Sequence, residues 1–128
     1  MFFSKKSSKP SYQWSFLATP ENVDKLIATS HEKPVVIFKH SGRCNISAMA
    51  LNRFEDYVKE IESHAYLFMI DVVNNRPASL HAAEQTGVTH QSPQILVLHQ
   101  GESIFDSSHS MIDGRHVIKI LTDLNLES

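Results

Sequence analysis

The chain has 128 residues, of which 41% are hydrophobic and 20% charged, and its formal net charge is −2. This length and composition indicate a single globular domain over residues 1–128. The small negative charge argues against nucleic-acid binding, and no stretch approaches the ~20 apolar residues of a membrane-spanning helix.

The first half of the chain predicts a tail, a short strand, a helix and a buried strand. Residues 1–11 are polar and basic, and we expect them to form a loosely ordered tail. Weak alternation around residues 14–17 suggests a short strand. Thr19-Pro20-Glu21 is typical of a helix start, and this helix should end near Ser30–Lys33. The apolar run at 35–39 then predicts a strand covered on both faces.

Helical periodicity begins after Cys44 and predicts one continuous amphipathic helix over about residues 45–63. The apolar positions that define its face are Ile46, Met49, Ala50, Phe54, Tyr57, Val58 and Ile61. The elements expected after it are a strand at 65–73, a helix at 77–86 closed by Gly87, a hairpin of strands at 94–99 and 102–106 that turns at Gln100-Gly101, and a last helix capped by Asp113.

The order of these elements is a βαβ unit followed by a ββα unit, with a short strand and a helix ahead of them. Alternating strands and helices of this kind predict an α/β fold with a mixed β-sheet flanked by helices on both faces. The order fits the thioredoxin-like topology in particular.

Cys44 is the only cysteine, and it lies where the strand at 35–39 passes into the next helix. Thioredoxin-like proteins place their attacking sulfur at this kind of junction, usually within Cys-x-x-Cys, but here Ser47 takes the second position. The thiolate is the reactive form, and the unpaired N–H groups at a helix start favour it. We therefore expect Cys44 to be the nucleophile of a monothiol site in the reducing cytosol.

Basic and polar neighbours of Cys44 should support this chemistry. Lys39, His40 and Arg43 would add positive potential if their side chains point towards the sulfur. The Ser47 hydroxyl lies one helical turn from Cys44 and could donate a hydrogen bond to the thiolate. The alternative is that a lone cysteine is an inert, small hydrophobic residue.

Two further segments are candidate substrate contacts. In thioredoxin-like folds a cis-proline lies opposite the cysteine, so we expect a cis Ser92–Pro93 bond and substrate pairing with the Ser92 backbone. The donor-rich loop at 106–111, which includes His109, could contact an anionic small thiol. The eight histidines and one cysteine show no metal-ligand spacing, so no metal is expected.

Three segments together resemble the bacillithiol-system redox-active (YtxJ-like) proteins, the monothiol bacilliredoxins. They are Lys39-His40-Ser41-x-x-Cys44-x-Ile46-Ser47, His90-x-Ser92-Pro93-Gln94 and Ser108-His109-Ser110. The resemblance implies a cytoplasmic thiol–disulfide oxidoreductase that uses Cys44 to remove bacillithiol from mixed disulfides on oxidised proteins. Bacillithiol is then a co-substrate, and the partners are bacillithiolated client proteins and bacillithiol or a reductase, without nucleic acid or membrane.

We also expect a monomer, and the resemblance leaves one departure to explain. Asn45 stands where family members usually carry proline. Unlike proline, Asn45 keeps its backbone N–H and could add a donor near the sulfur, at the cost of a looser turn.

Other function classes also fit a lone cysteine. An iron–sulfur carrier resembling monothiol glutaredoxins would need an external thiol ligand and a dimer, and Asn45-Ile46 does not match their usual Cys-Gly-Phe-Ser. A non-catalytic thioredoxin-like adaptor would use the fold only to dock a partner. A Cys–His hydrolase pair of Cys44 and His40 lacks an evident third group.

Overall fold

The computed structural model describes residues 12–127, so the tail predicted for residues 1–11 lies outside the described residues. None of the described helices is long and apolar enough to cross a bilayer. The elements, in chain order, are β1 (Ser15–Phe16), α1 (Pro20–Thr29), β2 (Val35–His40), α2 (Asn45–Phe54), a 3₁₀ turn (Glu55–Tyr57), α3 (Val58–Glu62), β3 (Tyr66–Asp71), α4 (Arg76–Thr86), β4 (Gln94–His99), β5 (Glu102–Ser108), a second 3₁₀ turn (His109–Met111) and α5 (Gly114–Glu127).

Within residues 12–127, five strands form one mixed sheet in the order β1-β3-β2-β4-β5. The central strand β2 is parallel to β3 and antiparallel to β4, which forms a hairpin with β5. Helices α2, α3 and α5 pack on one face of the sheet, and α1 and α4 pack on the other. The predicted α/β fold with helices on both faces is confirmed.

Local sequence signals explain several element boundaries. The Thr19 hydroxyl accepts a hydrogen bond from the Asn22 amide at 3.1 Å, and the Asn22 side chain accepts from the Thr19 amide at 3.2 Å, which forms a capping box. Gly87 ends α4 with a φ of 74°, a left-handed conformation that glycine adopts readily. The predicted caps of these two helices are therefore confirmed.

The single helix predicted over residues 45–63 is wrong. α2 ends at Phe54, a 3₁₀ turn follows, and α3 begins at Val58. Tyr57 has left the helical region, with φ −115° and ψ 3°. Its side chain lies against Gly114 at the start of α5, where an added Cβ would come within 2.7 Å of it. This close approach of α5 is a tertiary contact that periodicity along one helix does not reveal.

The buried face of α2 also differs from the predicted one. Ser47, Ala50 and Phe54 are buried, at the spacing of one helical stripe. Ile46 and Met49, which the periodicity assigned to the apolar face, are 57% and 62% exposed. α2 therefore presents two large apolar side chains outwards, next to its own N-terminus.

The loops that contain the candidate residues lie together at one edge of the sheet, where β2, β3 and β5 end and β4 begins. His40 at the end of β2 is in register with Asp71 at the end of β3, and Lys39 is in register with Gln94 at the start of β4. Gln94 is in turn paired with Ser108, the last residue of β5. The loops after β2, before β4 and after β5 therefore meet at this edge.

Candidate functional site

Cys44 is the N-cap residue of α2 and is partly exposed. Its φ of −113° and ψ of 120° are extended, and its side chain makes no capping hydrogen bond. The Cys44 carbonyl accepts the first helical hydrogen bond from the Ala48 amide at 3.0 Å. The sulfur thus lies at the positive end of the helix dipole and within reach of solvent, where it is accessible to a disulfide.

Ser47 holds the loop that carries the cysteine. Its side chain is fully buried, and its hydroxyl oxygen accepts a hydrogen bond from the Ser41 amide at 3.0 Å and lies 2.7 Å from His40 Nδ1. Among the described residues, no hydrogen bond joins this hydroxyl to the Cys44 sulfur. The observed role of Ser47 differs from the predicted one, because its hydroxyl ties the loop to β2 instead of contacting the thiol.

His40 is partly buried on the α2 side of the sheet, where its ring packs near Phe38 with a centroid distance of 6.2 Å. Burial lowers the pKa of His40, and the carboxylates of Asp71 and Glu55 partly offset that effect. The neutral imidazole is therefore favoured near neutral pH, and its Nδ1 lies beside the Ser47 hydroxyl.

Lys39 points to the opposite face of the sheet, because successive strand residues alternate. Its side chain is fully buried, and its ammonium donates to the Ser79 carbonyl at 3.1 Å and lies 3.3 Å from His90 Nδ1. Burial lowers the pKa of Lys39 to about 8. Lys39 therefore faces α4 and does not point towards the sulfur as the sequence analysis considered. Arg43 and Asn45, two further predicted supporting residues, are exposed beside Cys44.

The proline loop, residues 89–93, precedes β4 and contains a cis Ser92–Pro93 bond, as expected from the sequence. The Gln94 side chain spans this loop: its amide nitrogen donates to the Thr89 carbonyl at 3.0 Å, and its amide oxygen accepts from the Gln91 amide at 3.4 Å. The buried Ser92 hydroxyl has no hydrogen-bond partner within the described part of the chain. The side chain of Gln94, the first residue of β4, thus connects the proline loop to the sheet.

His109 connects the end of β5 to the proline loop. Its amide donates to the Pro93 carbonyl at 3.1 Å, and its φ of 55° is a left-handed conformation. The exposed side chain borders a groove of about 350 Å³ alongside α2. The groove is lined by Ile46, Met49, Arg53, His109 and Ser110. The structure thus brings His109 to the same side of the molecule as the start of α2.

Sequence reasoning missed Ser79 and the roles of His90 and Gln94. One signal was available but not used: Lys39 shares the strand parity of Val35 and Ile37, which are buried, and a buried charge needs hydrogen-bond partners. The partners themselves lie 40 and 51 residues away in the chain. Across residues 12–127, no group of three or more His, Cys, Asp or Glu side chains is arranged to hold a metal ion.

Comparison with known proteins agrees with this geometry. The family model "Monothiol bacilliredoxin BrxC" matches residues 15–117. A solved structure described as a candidate oxidoreductase with a thioredoxin fold is 27% identical, with a TM-score of 0.69 over 82% of this chain and 90% of that chain. Fasciola hepatica thioredoxin is 21% identical, with a TM-score of 0.64 over 85% and 97% of the two chains. Malassezia sympodialis thioredoxin is 16% identical, with a TM-score of 0.66 over 90% and 93%.

Proposed function

Because the chain belongs to the monothiol bacilliredoxin family, we propose that it removes bacillithiol from mixed disulfides on oxidised cytoplasmic proteins. The family and the thioredoxin-like fold support a redox role. The observation that carries the finer proposal is the partly exposed Cys44 at the N-cap of α2, with a serine three residues further on. Such a site can exchange one disulfide but cannot close one internally.

In the first step, the Cys44 thiolate attacks the bacillithiol sulfur of a mixed disulfide on a client protein. The bond between the client sulfur and the bacillithiol sulfur breaks, and a disulfide between Cys44 and bacillithiol forms. The client cysteine leaves as a thiolate and takes up a proton from water. One disulfide replaces another, so no external oxidant or reductant is required in this step.

In the second step, another thiolate attacks the bacillithiol sulfur of the Cys44 adduct and releases Cys44. If that thiolate is bacillithiol, the product is bacillithiol disulfide; a reductase thiol would instead take over the mixed disulfide. Ser47 cannot substitute for this thiol, because its hydroxyl oxygen cannot form a disulfide and is bonded within the loop.

The substrate contacts we propose are the Ser92 backbone, Pro93 and His109, with Arg43 and Asn45 at the rim of the site. Three observations support this placement. The loops meet at one sheet edge, the buried Ser92 hydroxyl has no partner among the described residues, and His109 is exposed beside the groove next to α2. We further propose that the protein acts as a monomer and holds no metal.

Mass spectrometry tests the first step directly. After treatment with bacillithiol disulfide, the wild-type protein should gain the mass of one bacillithiol, and added bacillithiol should remove it. Cys44→Ala should gain none. The wild-type protein should also remove bacillithiol from a bacillithiolated cysteine peptide. It should remove glutathione from the glutathionylated form of the same peptide more slowly.

Two outcomes would contradict the proposal. One is a wild-type protein that takes up no bacillithiol at neutral pH, which an inert or adaptor role predicts. The other is visible iron–sulfur absorbance after anaerobic reconstitution that depends on Cys44, which would favour a cluster carrier.

A further inference from the structure

Three polar groups from separate elements meet in the interior on the α4 side of the sheet. We define the Lys39 cluster as Lys39 of β2, Ser79 of α4 and His90 of the proline loop. The Lys39 ammonium lies 3.3 Å from His90 Nδ1, and the Ser79 hydroxyl lies 3.2 Å from the same nitrogen. Lys39 and Ser79 are both fully buried. The cluster thus joins the central strand to the loop that precedes β4.

The donor capacity of lysine fixes the direction of these contacts. An ammonium group has only donors, so the Lys39 contact makes His90 Nδ1 an acceptor and leaves the imidazole neutral with its proton on Nε2. Burial, together with the charges of Lys39 and Arg76, lowers the pKa of His90, which agrees with a neutral ring. His90 is therefore held in one tautomer and one orientation by its neighbours.

Burying the Lys39 ammonium costs free energy, which suggests that the residue has a role besides stabilising the fold. Lys39 forms no salt bridge with a carboxylate of the described residues, so its charge has no direct counter-charge there. A buried charge without a counter-charge destabilises a fold, and apolar replacements of buried charges are often neutral or stabilising. Methionine would fill the space of the lysine stem without this cost.

We propose that Lys39 is a positioning residue for the candidate site: its ammonium holds His90 and so fixes the proline loop beside the loop of Cys44. The proline loop has other supports: the Gln94 side chain of β4 contacts it on both sides of His90, at Thr89 and Gln91, and the His109 amide donates to the Pro93 carbonyl. Among the described residues, the Lys39 cluster is what holds its His90 segment to the central strand. The proposal rests on the proposed function, because the loop is where a mixed disulfide is to bind.

The decisive experiment compares Lys39→Met with Lys119→Met, the same substitution at an exposed site on α5. Hydrogen–deuterium exchange over residues 88–94 should speed up in Lys39→Met alone, while the rest of the sheet keeps its protection. The melting temperature should stay equal or rise. Alkylation of Cys44 by iodoacetamide, a probe too small to need the loop, should keep its rate.

Turnover gives a second readout. With a bacillithiolated cysteine peptide as the probe, KM should rise about tenfold in Lys39→Met and kcat should change much less. His90→Leu should reproduce the rise in KM, and the double variant should add nothing to it, because both changes release the same loop.

Each outcome decides between the possibilities. Unchanged hydrogen–deuterium exchange over residues 88–94 in Lys39→Met would overturn the inference. A lower melting temperature with faster exchange throughout the sheet would also overturn it, because Lys39 would then support the whole fold and not the loop in particular. If the wild-type protein fails to act on the peptide, the proposed function fails, yet the exchange data still decide whether Lys39 holds the loop.

Discussion

The two faces of the sheet hold the candidate site in chemically different ways, and the last two residues of β2 mark the difference. On the α2 face, His40 lies 2.7 Å from the Ser47 hydroxyl, which also accepts from the Ser41 amide. On the α4 face, a fully buried ammonium lies between the Ser79 carbonyl and His90. Both networks support loops at the same edge of the sheet.

Because one network is neutral and the other contains a charge, the two polar networks can have opposite effects on stability. The Ser47 network consists of neutral groups that satisfy one another, so removing the hydroxyl leaves the partly buried Ser41 N–H without its partner. The Lys39 cluster contains a charge that folding removes from water without a counter-charge, so removing the charge should relieve a cost. Ser47→Ala and Lys39→Met should therefore change the free energy of unfolding in opposite directions.

The largest expected effect is the dependence of stability on alkaline pH caused by Lys39. The folded protein releases this proton near pH 8, whereas the unfolded chain keeps it up to about pH 10.5. The unfolded state therefore binds more protons in this window, and the free energy of unfolding should rise with pH, by about 3 kcal/mol at most. Urea unfolding at intervals from pH 7 to 10.5 measures it.

The control for this effect is Lys39→Met, which removes the titrating group. Its unfolding free energy should exceed that of the wild type by about 1–3 kcal/mol at pH 7, and the difference should shrink as the pH approaches 10. If the free energy of unfolding depended on pH in the same way in the wild type and in Lys39→Met, the buried Lys39 ammonium would not destabilise the folded protein.

A second expected effect comes from Ser47→Ala on the opposite face. The substitution leaves the Ser41 amide without its acceptor and His40 Nδ1 without its neighbour in a partly buried site. We expect the free energy of unfolding to fall by about 2 kcal/mol. Denaturant unfolding at pH 7 checks this, and a loss below about 0.5 kcal/mol would mean that water replaces the hydroxyl.

Ser79→Ala is the matched change on the α4 face and should have a smaller effect. Ser79 is as buried as Ser47, but within residues 12–127 its hydroxyl has one hydrogen-bond partner, His90 Nδ1, which keeps the Lys39 ammonium as a donor. We expect a loss of about 0.5 kcal/mol. Equal losses for the two serine variants, measured in the same unfolding series, would remove the distinction between the faces.

The smallest expected effect lies on the acid side and involves both histidines. Burial lowers the pKa of His40 and of His90 in the folded state. The unfolded chain therefore binds these protons first, and the free energy of unfolding should fall as the pH drops below about 6.5. His40→Asn and His90→Leu should each flatten the curve between pH 7 and 5; curves as steep as that of the wild type would exclude these histidines as the cause.

The accuracy of the sequence predictions varied with the kind of signal. The caps at Thr19 and Gly87 were predictable because hydrogen bonding and positive φ depend on the local chain. The continuous helix over residues 45–63 was wrong because its break at Tyr57 accompanies the close packing of α5. The cis Ser92–Pro93 bond was predictable only through the family fold, since proline alone does not specify the isomer.

The sequence by itself determined the order of elements, the position of the lone cysteine at a helix start and the family of the protein. Periodicity and capping act over a few residues, and the spacing of Cys44 and Ser47 can be read directly from the sequence. Only the tertiary structure decided which partners Lys39 and Ser47 have. A strand sends neighbouring side chains to opposite faces: Lys39 meets Ser79 and His90, 40 and 51 residues away, whereas His40 meets Ser47, seven residues away.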